Sequence, residues 1–176
     1  MGRVKQEFTS ENTSVNTVSS VYTQIFAKNP DLFGVDILDY GGGKYNTNIE
    51  YMKKNCNSRV FVYDPYNRSA HENEMTIRHF INDPAKYVVC SNVLNVIKED
   101  EVIIEALNEI YTLMDVGGRL YISIYERNKT GIGCQTTKGW QRNQRAEGYY
   151  VLIYKGFKNN CLVRKYKGFI EVLKLA

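Results

Sequence analysis

The chain is 176 residues long, enough for one domain with a hydrophobic core and too short for two ordinary ones. Hydrophobic residues make up 43% and charged residues 24%, which excludes a disordered or fibrous chain. The formal net charge of +4 conceals a division, −5 over residues 1–126 and +9 over residues 127–176, of the kind that marks a polyanion-facing side.

Thr9 to Ser20 is rich in Ser, Thr and Asn and reads as a mobile arm. Val18, Val21 and Ile25 fall at helical spacing, so a short amphipathic helix is expected to run to Lys28 and stop before Asn29-Pro30. Residues 1–28 thus form an arm and N-terminal helix of a single domain spanning 1–176. A buried strand, Val35 to Asp39, enters the run Gly41-Gly42-Gly43. Thr47-x-x-Glu50 fits a capping box for a helix ending near Asn55, with Ile49 and Met52 on its inner face. Arg59 to Tyr63 is a second strand stopped by Asp64-Pro65, and Ser69 to Asn82 a polar helix leading to Pro84. Tyr87 to Cys90 is a strand, Asp100 to Met114 a strongly amphipathic helix ended by Gly117-Gly118, and Arg119 to Tyr125 an alternating strand. A polar loop from Arg127 to Gly139 precedes a weaker helix around Asn143 to Tyr154. Leu162 to Leu173 then reads as two short strands turning near Lys167-Gly168. This order predicts an α/β fold: a Rossmann-like doubly wound sheet, mostly parallel, with an antiparallel last strand. Ligands in such sheets bind at the carboxyl ends of the central strands.

The sharpest chemical signal is Asp39-Tyr40-Gly41-Gly42-Gly43 at a strand end. Glycines there allow a tight turn and let a ligand approach main-chain N–H groups, and the helix that follows favours a negative group such as a carboxylate. Asp64, 21 residues past Gly43 at the next strand end, can accept hydrogen bonds from two ribose hydroxyls. Gly41-x-Gly43-x-x-Asn46 lacks the third glycine of a dinucleotide fingerprint. Asp39 would also repel a pyrophosphate, whereas it suits a cofactor carrying an amine. S-adenosylmethionine, with a sulfonium and an ammonium, fits that charge better than NAD.

Asp39-x-Gly41-x-Gly43, Asp64 and the strand end Ser91-Asn92-Val93-Leu94-Asn95 together resemble class I S-adenosylmethionine-dependent methyltransferases. The strings Asp39 to Tyr45, Tyr63 to Ser69, Ser91 to Ile97 and Gln135 to Asn143 look similar to small methyltransferases carried by bacteriophages, and the resemblance covers roughly residues 15 to 172. It implies that Gly41 and Gly43 approach the methionine and sugar portion and that Asp39 sits near the amino group. It further implies Asp64 on the ribose hydroxyls, Pro65 and Tyr66 beside the adenine, and Asn92 under the reactive end. Asn92 is the positional candidate for catalysis, with Tyr125 and Glu126 the nearest alternatives. Gln135, Trp140 and Arg142 fall on the substrate-side loop, residues 127–143. One departure stands out: residues 65–86 are too few for a helix, a third strand and a second helix, since a βαβ unit takes ~30 residues. The third strand, with its usual adenine-side acidic residue, is therefore expected to be missing or reduced; Asp83 is a substitute or simply a turn residue before Pro84.

The acceptor is not legible. No Pro-Cys nucleophile and no Asp/Asn-Pro-Pro-Tyr motif is present. Arg127, Lys129, Lys138, Arg142 and Arg145, mixed with Trp140, Tyr149 and Tyr150, suit nucleic acid, and equally suit a solvated surface. His71 and His79 lack ligand-spaced partners, so no metal is expected. Cys56, Cys90, Cys134 and Cys161 lie far apart without a CxxC pair, no apolar run approaches the ~18 residues of a membrane span, and the start is polar. A cytoplasmic protein (in the host cytoplasm if phage-encoded) is the expectation. Two readings stand: a methyltransferase, or a non-catalytic cofactor- or nucleic-acid-binding protein on the same fold.

Overall fold

The computed structural model describes residues 6–176, so the first five residues of the expected arm lie outside the described residues. Six strands form one sheet, with β1 (Asp36–Tyr40), β2 (Arg59–Tyr63), β3 (Ala85–Ser91), β4 (Met114–Ser123), β7 (Cys161–Tyr166) and β8 (Phe169–Lys174) in the order β2-β1-β3-β4-β8-β7. The first four run parallel and the β7–β8 hairpin closes the far edge antiparallel. The expected doubly wound sheet is therefore present, and β2 is an outer strand. After it, α2 (Ala70–Asn82) leads directly into β3, which pairs with β1; the missing third strand is borne out.

Period-two alternation assigns the two faces. Leu38, Val88, Cys90, Leu120 and Ile122 point to a core shared with α2, α3 (Asp100–Leu113) and α4 (Tyr150–Gly156). Ile37, Val60, Val62, Val89 and Tyr121 point to the opposite core, covered by α1 (Thr47–Cys56) and the π-helical turn Tyr22–Phe26. Asp39 belongs to this second face and Tyr40 to the first, so adjacent residues at the β1 end look into different spaces.

Local chemistry decided several boundaries differently from the sequence pattern. Thr47 does not cap α1: Asn46 precedes the helix without a side-chain cap, and the Thr47 hydroxyl donates instead to Asn16 Oδ1. Ser69 and Glu72, by contrast, form a full capping box at α2. The expected loop 127–139 contains half of a small hairpin, β5 (Cys134–Thr136) and β6 (Gly139–Gln141). The helix expected from Asn143 begins later, with a 3-10 turn at Ala146–Tyr149 running into α4, because Asn143 is left-handed (φ 56°) and Glu126 Oε1 accepts the Ala146 N–H at 2.8 Å. β4 starts at Met114 and carries Gly117 and Gly118 through a register shift opposite β3.

The stretch Thr9 to Ser20, read as a mobile arm, lies across the carboxyl ends of β1 and β3. Ser19 N–H donates to Asn48 Oδ1 (2.9 Å), and the hydroxyls of Ser19, Ser91 and Ser123 form a chain with 2.7 Å links. Among the described residues no helix is long and apolar enough to cross a membrane.

Candidate functional site

The cleft begins where β1 ends. Gly41 turns the chain at φ +77°, and a Cβ there would stand 2.4 Å from the Val93 side chain. Only glycine permits both the angle and the approach. Gly43, at φ +76°, aims its N–H at Asp64 Oδ2 (2.9 Å). That bond joins the two motifs that the sequence separates by 21 residues.

Asp64 is buried and heavily used. Its Oδ1 accepts the Tyr66 and Asn67 N–H groups (3.0 and 3.1 Å), and its Oδ2 accepts Gly43 N–H and the Asn67 side-chain amide (3.1 Å). A carboxylate offers about four acceptor positions, so two hydroxyls accepted here would have to displace two of these four donors, the Asn67 side-chain amide among them. Arg68 locks the same corner: its guanidinium donates to Gly43 O, Tyr45 O and Asn46 Oδ1, each at 2.8 Å.

Asp39 is 1% exposed and accepts from the Asn48 amide at 3.2 Å. The Tyr22 hydroxyl sits beside it and is otherwise without a partner. Burial pushes the Asp39 carboxyl up from 3.8 to about 6, and the Asp64 charge adds to this; Tyr22, Asn48 and Arg68 act the other way. Burial, together with the nearby Asp39 charge, also pushes the Cys90 thiol up. A buried carboxylate with so few donors is short of positive charge, and an ammonium group supplies it.

Two connected lobes open from this corner. The polar lobe, a cavity of about 230 Å³, is walled by Asp39, Gly41 to Gly43, Asn48, Ser91, Asn92 and the strap from Ser10 to Ser20. The apolar lobe, about 80 Å³, is walled by Tyr40, Pro65, Tyr66, Val96, Ile97 and one face of α3. Ser10, Gly41, Asp64, Val93 and Val96 belong to both, so Asp64 stands at their junction. Asp39, Gly41, Gly43, Asp64, Pro65 and Asn92 are brought together as the sequence suggested. Asn92 is left-handed (φ 56°), with its N–H tied to Ser123 O at 2.9 Å.

The three substrate-side candidates have other neighbours. Trp140 stacks on Phe8 of the strap (centroids 5.4 Å apart, 25° between planes), with the Lys98 ammonium 5.0 Å from the Trp140 centroid. Gln135 pairs with Trp140 across the β5–β6 hairpin and is exposed. Arg142 is held by Asp100 Oδ1, Gln144 Oε1 and the carbonyls of Ile97 and Lys98, so its guanidinium is committed inside the protein. Glu126 is committed as well, to the Ala146 N–H. The strap, Asn48, Asn67 and Arg68 were not read from the sequence as site residues. Asn48, the second residue of α1, carried a positional signal; Arg68 carried none. Among the described residues no group of three or more His, Cys, Asp or Glu side chains could hold a metal.

No family model and no curated protein sequence matches the chain. Solved structures do match. A SAM-dependent methyltransferase from Methanosarcina mazei is 11% identical, over 80% of this chain and 92% of that one, with a TM-score of 0.55. The 1,6-didemethyltoxoflavin-N1-methyltransferase of Burkholderia thailandensis, with bound 1,6-didemethyltoxoflavin and S-adenosylhomocysteine, is 15% identical over 89% and 82%, TM-score 0.57. Human N-acetylserotonin methyltransferase in complex with SAM is 15% identical over 89% of this chain, which spans about half of that enzyme (52%), TM-score 0.57. At these identities the likeness is one of fold, the Rossmann-like fold of methyltransferases.

Proposed function

We propose that the chain is an S-adenosylmethionine-dependent methyltransferase acting on a small-molecule acceptor. The observation that carries this reading is the order of the cleft: a buried, under-donated carboxylate, then a glycine turn, then a diol-accepting aspartate, then an apolar slot. That order fits an ammonium, a carboxylate, a ribose and a purine along one ligand. Two buried carboxylates at the turn oppose the pyrophosphate of a dinucleotide, so the charge favours the sulfonium cofactor.

When bound, the cofactor supplies an activated methyl group, transferred by direct displacement. Asp39 and the Asn48 amide would hold its ammonium end, Gly41 to Gly43 its main-chain approach, and Asp64 its sugar hydroxyls. Asp39 and Asp64 are the only titratable side chains among the described residues lining the polar lobe, and both serve the cofactor. The protein therefore contributes alignment and field rather than a proton-accepting side chain, which suits an acceptor that is already nucleophilic. The strap roofs the cavity and Arg142 is committed internally, and both features favour a small acceptor over a nucleic-acid strand.

Isothermal calorimetry with S-adenosylhomocysteine tests the cofactor, with micromolar binding expected. Asp64→Asn should weaken it by about one to two powers of ten, the value of a charge-assisted hydrogen bond. No heat at millimolar ligand would overturn the proposal. Labelled-methyl transfer into fractionated metabolites, RNA, DNA and protein then finds the acceptor. Binding without transfer to any fraction would support a non-catalytic binding protein instead.

A further inference from the structure

We infer that Asn48 is a positioning residue that couples the ligand's ammonium group to closure of the strap, a role that rests on the methyltransferase reading. Two side chains at the start of α1 hold the strap. Thr47 donates its hydroxyl to Asn16 Oδ1, and neither residue walls the polar lobe. Asn48 does wall it, and it faces both ways: its Oδ1 accepts the Ser19 N–H at 2.9 Å, and its Nδ2 donates to Asp39 Oδ2 at 3.2 Å. Ser19 in turn shares its hydroxyl with Ser91, and Ser91 with Ser123, at 2.7 Å each. One amide thus stands between the buried carboxylate and the ends of β3 and β4.

The coupling lies in the two sides of an amide, one a donor and one an acceptor. A charged Asp39 takes only donors, so it holds the Nδ2 side of Asn48 and turns Oδ1 to the strap, where the Ser19 N–H meets it. A protonated Asp39 carries an O–H of its own and accommodates either side of the amide. With Nδ2 turned to the strap, the Ser19 N–H faces another donor and its bond is lost. An ammonium beside Asp39 keeps the carboxylate charged and so selects the orientation that closes the strap. Tyr22, Cys90, Asp64 and Arg68 also act on the Asp39 charge, and Asn48 is the group that carries it to the Ser19 N–H. A ligand with the same purine, sugar and carboxylate but no amine gives no such selection. Because the strap walls the polar lobe, that side of the cleft is complete only once the cofactor is seated, and the acceptor follows it.

Amide hydrogen exchange of the whole chain at about pH 6, where Asp39 is near half protonation, tests this with two ligands. One is S-adenosylhomocysteine; the other is its desamino analogue, which keeps the carboxylate and lacks only the amine. The first should slow exchange over residues 15–20 by about five- to tenfold, the scale of one hydrogen bond, and the second, at saturation, by less than about twofold. In Asn48→Ala, S-adenosylhomocysteine should still protect the glycine loop, residues 41–43, but no longer residues 15–20. Asn48→Leu, of nearly the same volume as Asn, gives the same readout should the alanine variant not fold. Equal protection of residues 15–20 by the two ligands overturns the inference and leaves the cofactor reading standing, as does protection that persists without Asn48. If the desamino analogue does not bind, the Asn48 variants decide alone, and the reverse holds if the variants do not bind. Failure of both ligands to bind the wild-type chain removes the cofactor reading and this inference with it.

Discussion

Asp39 sits in an environment that opposes its charge. Its carboxyl is raised to about 6, chiefly by burial, so the folded chain holds the proton more readily than the unfolded chain. The contribution of Asp39 to stability is therefore most favourable below about pH 4, falls as pH rises toward 6, and stays lower above it, by about 3 kcal/mol at neutral pH. Asp39→Asn should melt several degrees above the wild type at pH 7.5 and alongside it at pH 4, measured by calorimetry. An ammonium placed beside the carboxylate relieves the same strain. The thermal shift given by S-adenosylhomocysteine should therefore grow between pH 5 and 7.5 in the wild type and stay small and flat in Asp39→Asn. Equal shifts at both pH values would show that Asp39 does not meet the cation. Asp39, Gly41, Gly43 and Asp64 were legible in the sequence because each acts within a few bonds of its own strand end. Asn67 and Arg68 were not, because what they do depends on where Asp64 and the glycine loop meet in space.

Among the elements, the same local signal succeeded once and failed once. Ser69 caps α2 because its neighbours leave it free to turn back, while the Thr47 hydroxyl is drawn to Asn16 of the strap. The strap itself looked like a linker, since polarity along a chain says nothing about which surface it will meet. Its outer end is held by a latch: Phe8 stacks on Trp140, Lys98 lies over both rings, and Glu7 pairs with Lys98. Trp140→Ala removes an aromatic pair worth about 0.5–1.5 kcal/mol beyond its buried area. Amide exchange over residues 6–14 should rise several-fold in that variant while β1, β3 and β4 keep their protection. The affinity for S-adenosylhomocysteine should drop with it. Exchange as slow as in the wild type would show that the latch does not hold the strap.

For the molecule as a whole, the charge division has a different meaning from the one its sequence suggested. Arg164, Lys165 and Lys167 lie on β7 and its turn, at the sheet edge opposite β2. Charges on an edge strand discourage pairing with another chain. Lys165 is paired with Glu147 and Arg119 with Glu171. Three of the eleven basic residues of 127–176 thus lie at a sheet edge, a placement invisible until strand order is known. The strap brings one more consequence, in time rather than space. Its anchors join residues 92 positions apart at Glu7 and Glu99 and 72 apart at Ser19 and Ser91, so the roof closes only after the central strands are in place. A refolding chain should regain its far-ultraviolet signal first and its Trp140 fluorescence later, together with ligand binding. The sole tryptophan would then serve as a built-in clock for the moment the cleft is finished.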